Sequence, residues 1–121
     1  MKDTLQLKTK KVKTYVFDID GTVCTTVDDG DYLKAKPYKH RIEQINGLYE
    51  QGATIILNTA RGMGRYGNAS GQAHAAFYDL TVNQLKGWGV KYHRLFMGKP
   101  SGDIYVDDKG INDEDFFNSR N

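Results

Sequence analysis

The chain has few of the residues that staple or interrupt small folds. Its 121 residues include one cysteine, Cys24, and two prolines, Pro37 and Pro100. A lone cysteine forms no internal disulfide, so a disulfide scaffold is excluded and a reducing compartment, the cytoplasm, is expected. No apolar run approaches the roughly 20 residues that span a bilayer, which argues against a membrane partner. The start of the chain, with Lys2, Lys8, Lys10, Lys11 and Lys13, has no apolar block behind it and does not read as a secretory signal. An excess of one charge is lacking as well. The formal net charge is +2, too small by itself to imply a nucleic-acid or membrane surface. What is present is ordinary: 39% hydrophobic and 26% charged residues, a composition that indicates neither disorder nor a fibre. The length suits one compact domain over residues 1–121, with residues 1–11 expected as a flexible or edge arm.

Local pattern then gives an order of elements. Val12 to Ile19 is β-branched and aromatic and stops at Gly21, which predicts a strand. Residues 24–37 are polar, carry the turn signal Asp28-Asp29-Gly30-Asp31, and end at Pro37, a residue suited to opening a helix. Ile42, Ile45, Leu48 and Tyr49 keep helical spacing between Tyr38 and Gln51, and Gly52 supplies a stop. Thr54 to Leu57 reads as a strand buried on both faces. After a glycine-rich loop from Arg61 to Gly71, a second helix is predicted over Gln72 to Lys86, with Ala73, Ala76, Phe77, Leu80 and Leu85 facing inward. Tyr92 to Met97 and Asp103 to Val106 are expected as two more short strands. Strands alternating with helices imply an α/β, three-layer Rossmannoid domain with a central parallel sheet.

In such sheets, ligands collect beyond the carboxyl ends of the strands. Each expected strand exit here carries polar residues: Asp18 and Asp20, then Asn58 and Thr59, then Lys99, then Asp107 and Asp108. Four carboxylates brought together repel each other and require a cation or raised pKa values. Oxygen ligands without His or Cys favour a hard ion, so Mg²⁺ is the expected cofactor. A carboxylate in that setting can attack phosphorus, which makes Asp18 the candidate nucleophile. Asp20 sits where it can protonate the departing oxygen and later activate water. Gly21 lets the chain turn sharply, Thr22 can cap the turn or bind a phosphate oxygen, and Thr59 and Lys99 would hold the equatorial oxygens.

Phe17-Asp18-Ile19-Asp20-Gly21-Thr22 resembles the first motif of the haloacid dehalogenase superfamily phosphatases. Thr59 resembles the second motif, Lys99 the third, and Asp107-Asp108 the paired acids of the fourth, all in order. Asn58-Thr59-Ala60-Arg61-Gly62-Met63, Gly98-Lys99-Pro100 and Tyr105-Val106-Asp107-Asp108-Lys109 look more narrowly like the small capsule-biosynthesis phosphatase branch. The superfamily resemblance implies a Rossmannoid fold, Mg²⁺ and an aspartyl-phosphate intermediate; the branch implies a sugar phosphate or related small ester. It further implies a metal set of Asp18, Asp20 through its backbone carbonyl, and Asp108, with Asp107 behind them or orienting Lys99. The candidate substrate-binding set is Gly21, Thr22, Ala60, Arg61 and Arg65, the two arginines reaching for a second phosphate or a sugar carboxylate.

Other signals compete. Gly62-Met63-Gly64-Arg65-Tyr66-Gly67 spells a dinucleotide fingerprint, but it does not follow the first strand and Leu95-Phe96-Met97 lacks the acid that motif needs. His40, His74 and His93 lack mutual ligand spacing and read as surface residues. Cys24 reads as a small packed residue, since no neighbouring base is suggested. The spans between motifs are filled by the expected helices and strands, so no cap domain fits. An open site of this kind either takes phosphorylated ends of large molecules or is closed over a small substrate by a second copy in a homo-oligomer. Two alternatives therefore stand beside the sugar-phosphate reading: a polynucleotide 3′-end phosphatase, whose nucleic-acid partner the lysine-rich arm would meet, and a phosphate-binding module without catalysis.

Overall fold

A computed structural model describes residues 12–118. The lysine-rich arm, residues 1–11, lies outside the described residues. Strand β1 (Thr14–Asp18) pairs in parallel with β2 (Thr54–Asn58), in a register that sets Thr14 opposite Thr54 and Asp18 opposite Asn58. Strand β3 (Arg94–Phe96) pairs in parallel with β2 on its other side, giving the order β1-β2-β3. The strands are joined by helix α1 (Lys39–Glu50) and helix α2 (Ser70–Trp88), and the described chain closes with helix α3 (Asp113–Asn118). This is an α/β domain with a parallel central sheet, the expected fold class. None of the described helices is long and apolar enough to cross a membrane.

Two right-handed crossovers that step in the same direction across a sheet place their helices on the same face. Phe17, Ile55 and Leu57 point to that face and are buried in one cluster with Ile42, Ile45 and Leu48 of α1 and Leu85 of α2. Strand side chains alternate, so Val16 and Phe96 point the other way, and they are 60% and 51% exposed. Among the described residues all three helices pack on the first face; a helical layer on the second face is not seen among them. Helix α3 joins the same cluster. Phe117 stacks on Phe17 at 5.9 Å, and Phe116 meets Phe17 edge-on at 5.5 Å. Arg41 of α1 ties α3 down, with Nη1 2.7 Å from Asp113 Oδ2 and the guanidinium 4.8 Å from the Phe117 ring.

The helices begin and end where local chemistry stops them. Gly52 and Gly89 take positive φ, 97° and 74°, just beyond α1 and α2. Helix α2 begins at Ser70, two residues before the expected start, and its inward stripe is Ala73, Phe77, Thr81 and Leu85. Ala76, expected inside, is exposed. Strand β3 is shorter than expected because His93 uses its side chain on the ladder: Ile55 N donates to His93 Nδ1 at 3.0 Å, while His93 N donates to Ile55 O at 2.8 Å. His93 is exposed, as expected of a surface residue, and makes this pair of bonds between α2 and β3.

The expected fourth strand, Asp103 to Val106, does not form. Ile104 is 82% and Val106 95% exposed, and β1 pairs only with β2 among the described residues. Local turn bonds take over between Pro100 and Gly110. Tyr105 Oη donates to Pro100 O at 2.7 Å and accepts from Gly102 N at 3.0 Å, and Lys109 N donates to Asp107 Oδ1 at 2.9 Å. A run of only three apolar residues, Ile104 to Val106, set among such turn bonds, has no need of a ladder.

The seating of α3 can be tested directly. Phe117→Ala should cost about 3 kcal/mol or more in a urea titration, as loss of a buried aromatic does. A wild-type midpoint would show that α3 does not rest on the core.

Candidate active site

The register of the sheet builds the site. Ile19 N donates to Asn58 O at 3.1 Å, Thr59 N to Phe96 O at 3.0 Å, and Lys99 N to Thr59 O at 3.1 Å, so the exits of β1, β2 and β3 lie side by side. After β1 the chain coils tightly: Thr22, Val23 and Cys24 all direct their N–H groups at Ile19 O, and Gly21 takes φ +88°. The segment 24–37 then loops out and returns, closed by Thr25 N to Lys36 O at 2.8 Å and Tyr38 N to Val23 O at 2.9 Å. Its 3-10 turn, Tyr32–Lys34, places Tyr32 over the site.

A pocket of about 250 Å³ opens at this point, lined by Asp18, Asp20, Tyr32, Ala60, Lys99 and Tyr105 among others. Lys99 Nζ lies 3.4 Å from Asp18 Oδ1 and 4.2 Å from the centre of the Tyr105 ring. Burial raises the Asp18 carboxyl above its ordinary 3.8, Lys99 opposes that rise, and the neighbouring Asp20 adds to it. The balance remains upward even with the lysine in place. Asp18 is therefore an acid held in a setting that disfavours its charge, an arrangement that clusters at reactive sites.

Asp20 is held differently. Arg61 Nε lies 3.0 Å from Asp20 Oδ2 and Arg61 Nη2 3.0 Å from Asp20 Oδ1, a two-point fork. Thr59 Oγ1 donates to Asp20 Oδ2 at 3.4 Å and accepts from Arg61 N at 3.1 Å. Cys24 is buried behind the carboxylate, and its thiol is pushed up to about 12, by burial first and by Asp20 second. A thiol in that state is no nucleophile.

Of the expected site residues, Asp18, Asp20, Ala60, Arg61 and Lys99 line one pocket, with Thr59 buried beside it. Gly21 and Thr22 turn their carbonyls to Arg41 Nη1, at 3.5 and 3.2 Å. Arg65 is exposed; it reaches Gly30 O at 3.4 Å and its guanidinium sits 5.0 Å from the Phe77 ring. Asp107 and Asp108 do not line this pocket: both are exposed in the turn after Val106, where the expected strand is not formed. Asp107 is held below its ordinary value, chiefly by the Lys109 N–H. The residues that sequence reasoning passed over are Arg41, Thr81 and Gln84. Thr81 was legible in principle, since 73, 77, 81 and 85 form one helical stripe and a polar residue in it demands a partner.

The donor set can be tested against Mg²⁺. The oxygen-only chemistry is right for a hard ion. Among the described residues, however, no group of three or more His, Cys, Asp or Glu side chains could hold a metal. Both Asp20 oxygens are engaged by Arg61 and Thr59, and Asp18 faces Lys99. The four-carboxylate site is thus not assembled by this arrangement.

No family model matches the chain, and no curated protein is similar to it in sequence. Solved structures do match. A Vibrio cholerae protein known from its crystal structure is 27% identical, with a TM-score of 0.80, and the match covers 88% of each chain. The D,D-heptose 1.7-bisphosphate phosphatase from B. bronchiseptica, crystallised with magnesium and phosphate, is 22% identical with a TM-score of 0.52. A chain of the Pnkp1/Rnl/Hen1 complex is 18% identical with a TM-score of 0.54. The matches cover 83% and 81% of this chain but only 54% and 31% of those two. The chain shares its α/β fold with these structures.

Two outcomes follow from the electrostatics. Folding raises the Asp18 pKa, so ionising that group as pH climbs past 3.8 costs the folded state stability. Asp18→Asn should therefore raise Tm at neutral pH, with the gain shrinking as pH falls toward 3.8 and vanishing below it. A lower Tm at pH 7 would contradict the assignment. Cys24 should resist iodoacetamide in the native chain and react promptly in guanidinium; rapid native labelling at pH 8 would show that the thiol is not buried as described.

Proposed function

We propose that the chain is a phosphomonoesterase that works through an aspartyl-phosphate intermediate on a sugar phosphate or similar small ester. The observation that carries this reading is Asp18, its charge disfavoured by burial, facing Lys99 in a pocket with Asp20 two residues further on. The phosphoryl group would sit between Asp18 and Lys99, with its charged oxygens on the Lys99 ammonium. An Asp18 oxygen attacks phosphorus and the P–O bond to the substrate breaks. Asp20, a carboxylate at rest, takes up a proton from water as the substrate binds and gives it to the departing alkoxide. Water then loses a proton to Asp20 and attacks the same phosphorus, which releases phosphate and restores the Asp18 carboxylate. Lys99 matches charge that builds on the transferring group, and such contacts are worth on the order of 100- to 1,000-fold in kcat.

The fold neighbours support the reading by analogy, one being a bisphosphate phosphatase by name. Each step above is carried by the chain's own groups. Mg²⁺ enters as an assay variable, because that neighbour was crystallised with it and the oxygen donors at Asp18 suit a hard ion. The test is a screen of sugar phosphates, nucleotides and 3′-phosphorylated oligonucleotides, with and without millimolar Mg²⁺. Release of phosphate from small esters is expected, and Asp18→Asn should reduce it on the order of a thousandfold or more while the circular dichroism spectrum stays native. Full activity in that variant would overturn the nucleophile, and preference for oligonucleotide ends would move the substrate class.

A further inference from the structure

Arg61 was expected to grip substrate, yet its side chain is 0% exposed. A guanidinium carries five N–H donors, and taking it wholly out of water requires an acceptor for each. Arg61 has that many. Its Nε and one Nη2 donor go to Asp20, the other Nη2 donor to Cys24 Sγ at 3.8 Å, and Nη1 to Thr81 Oγ1 at 3.1 Å and Gln84 Oε1 at 2.8 Å. No donor is left for a ligand. One face of the planar group is covered as well: the Tyr32 ring lies 4.8 Å from its Cζ, and Gln84 Nε2 donates to Tyr32 O at 2.6 Å.

We propose that Arg61 is a positioning residue that acts through Asp20, fixing the direction in which that carboxyl meets the leaving group, with Tyr32 bracing it from the loop above. This rests on the phosphatase reading and deepens it. A carboxyl on a single short side chain rotates freely about χ2 unless both oxygens are held, and a two-point fork from a buried, fully engaged guanidinium holds both. A lysine has the same charge without the fork. The consequence appears only in reactions that need Asp20 to deliver a proton. An alkyl phosphate expels a basic alkoxide and depends on that proton, whereas p-nitrophenyl phosphate expels a weakly basic phenolate and does not.

The experiment compares wild type, Arg61→Lys, Asp20→Asn and their double variant on glucose 6-phosphate or another active sugar phosphate and on p-nitrophenyl phosphate. Arg61→Lys should lower kcat on the sugar phosphate about 100-fold, the scale of general acid catalysis, with KM unchanged and a loss on the aryl ester of less than tenfold. In the Asp20→Asn background the same substitution should change little. Thr81→Val, which loosens the far end of the guanidinium, should give a smaller loss with the same leaving-group dependence and serves where Arg61→Lys fails to fold. A raised KM with unchanged kcat would restore the substrate-gripping role and overturn the proposal. Equal losses on both esters, or a full additional loss in the Asp20→Asn background, would overturn it too, as a purely structural effect. A wild-type chain inactive on both esters instead overturns the phosphatase reading and takes this proposal with it.

Discussion

A guanidinium out of contact with water is the constraint around which the site is organised. Arg61 must find acceptors for every donor, and it draws them from the turn after β1, from the body of α2 and, through Tyr32, from the loop above the pocket. Those segments are far apart in sequence. Removing one partner of a buried ion pair typically costs about 3–5 kcal/mol, because the other charge is stranded. The same bonds that make Arg61 tolerable inside the domain therefore hold the β1 exit, α2 and the loop at residues 24–37 in one relation.

Asp18 is governed by the opposite choice. Its carboxyl is partly withdrawn from water with one lysine at 3.4 Å, and the lysine does not cancel the cost of burial. A group kept at a disadvantage in the resting fold costs stability, as groups at reactive sites commonly do. Two carboxylates two residues apart thus receive different treatment: one is clamped in direction, the other is left short of partners. Such division is what separates two chemical roles in one pocket.

The sheet supplies the platform for both. Its parallel register lines up three exits, and its handedness puts α1 and α2 on one face, where α3 joins them through Phe116 and Phe117. On the other face a groove of about 490 Å³ runs past Val16, Ile56 and Phe96 to Lys99. Lys99 borders both this groove and the pocket at Asp18, so the lysine that faces Asp18 also marks the boundary between the polar pocket and the apolar face.

Much of this was legible along the chain. Helical spacing of Ile42, Ile45 and Leu48, the β-branched run into Asp18, and the glycines that end α1 and α2 are all local signals, and each was realised within a residue or two. The order of Asp18, Thr59 and Lys99 along the chain likewise resembles the motif order of haloacid dehalogenase superfamily phosphatases. Two readings failed for one reason. Asp103 to Val106 has the composition of a strand, and Arg61 the look of a surface hook, but pairing and burial are properties of partners elsewhere in the chain. Sequence alone determined which segments could be helix or strand and which residues carried reactive groups, because propensity and chemistry are local. Only the tertiary structure decided that Arg61 turns inward onto Asp20 while Asp107 and Asp108 stay in solvent, because that choice depends on which acceptors and which strand edges packing brings within reach.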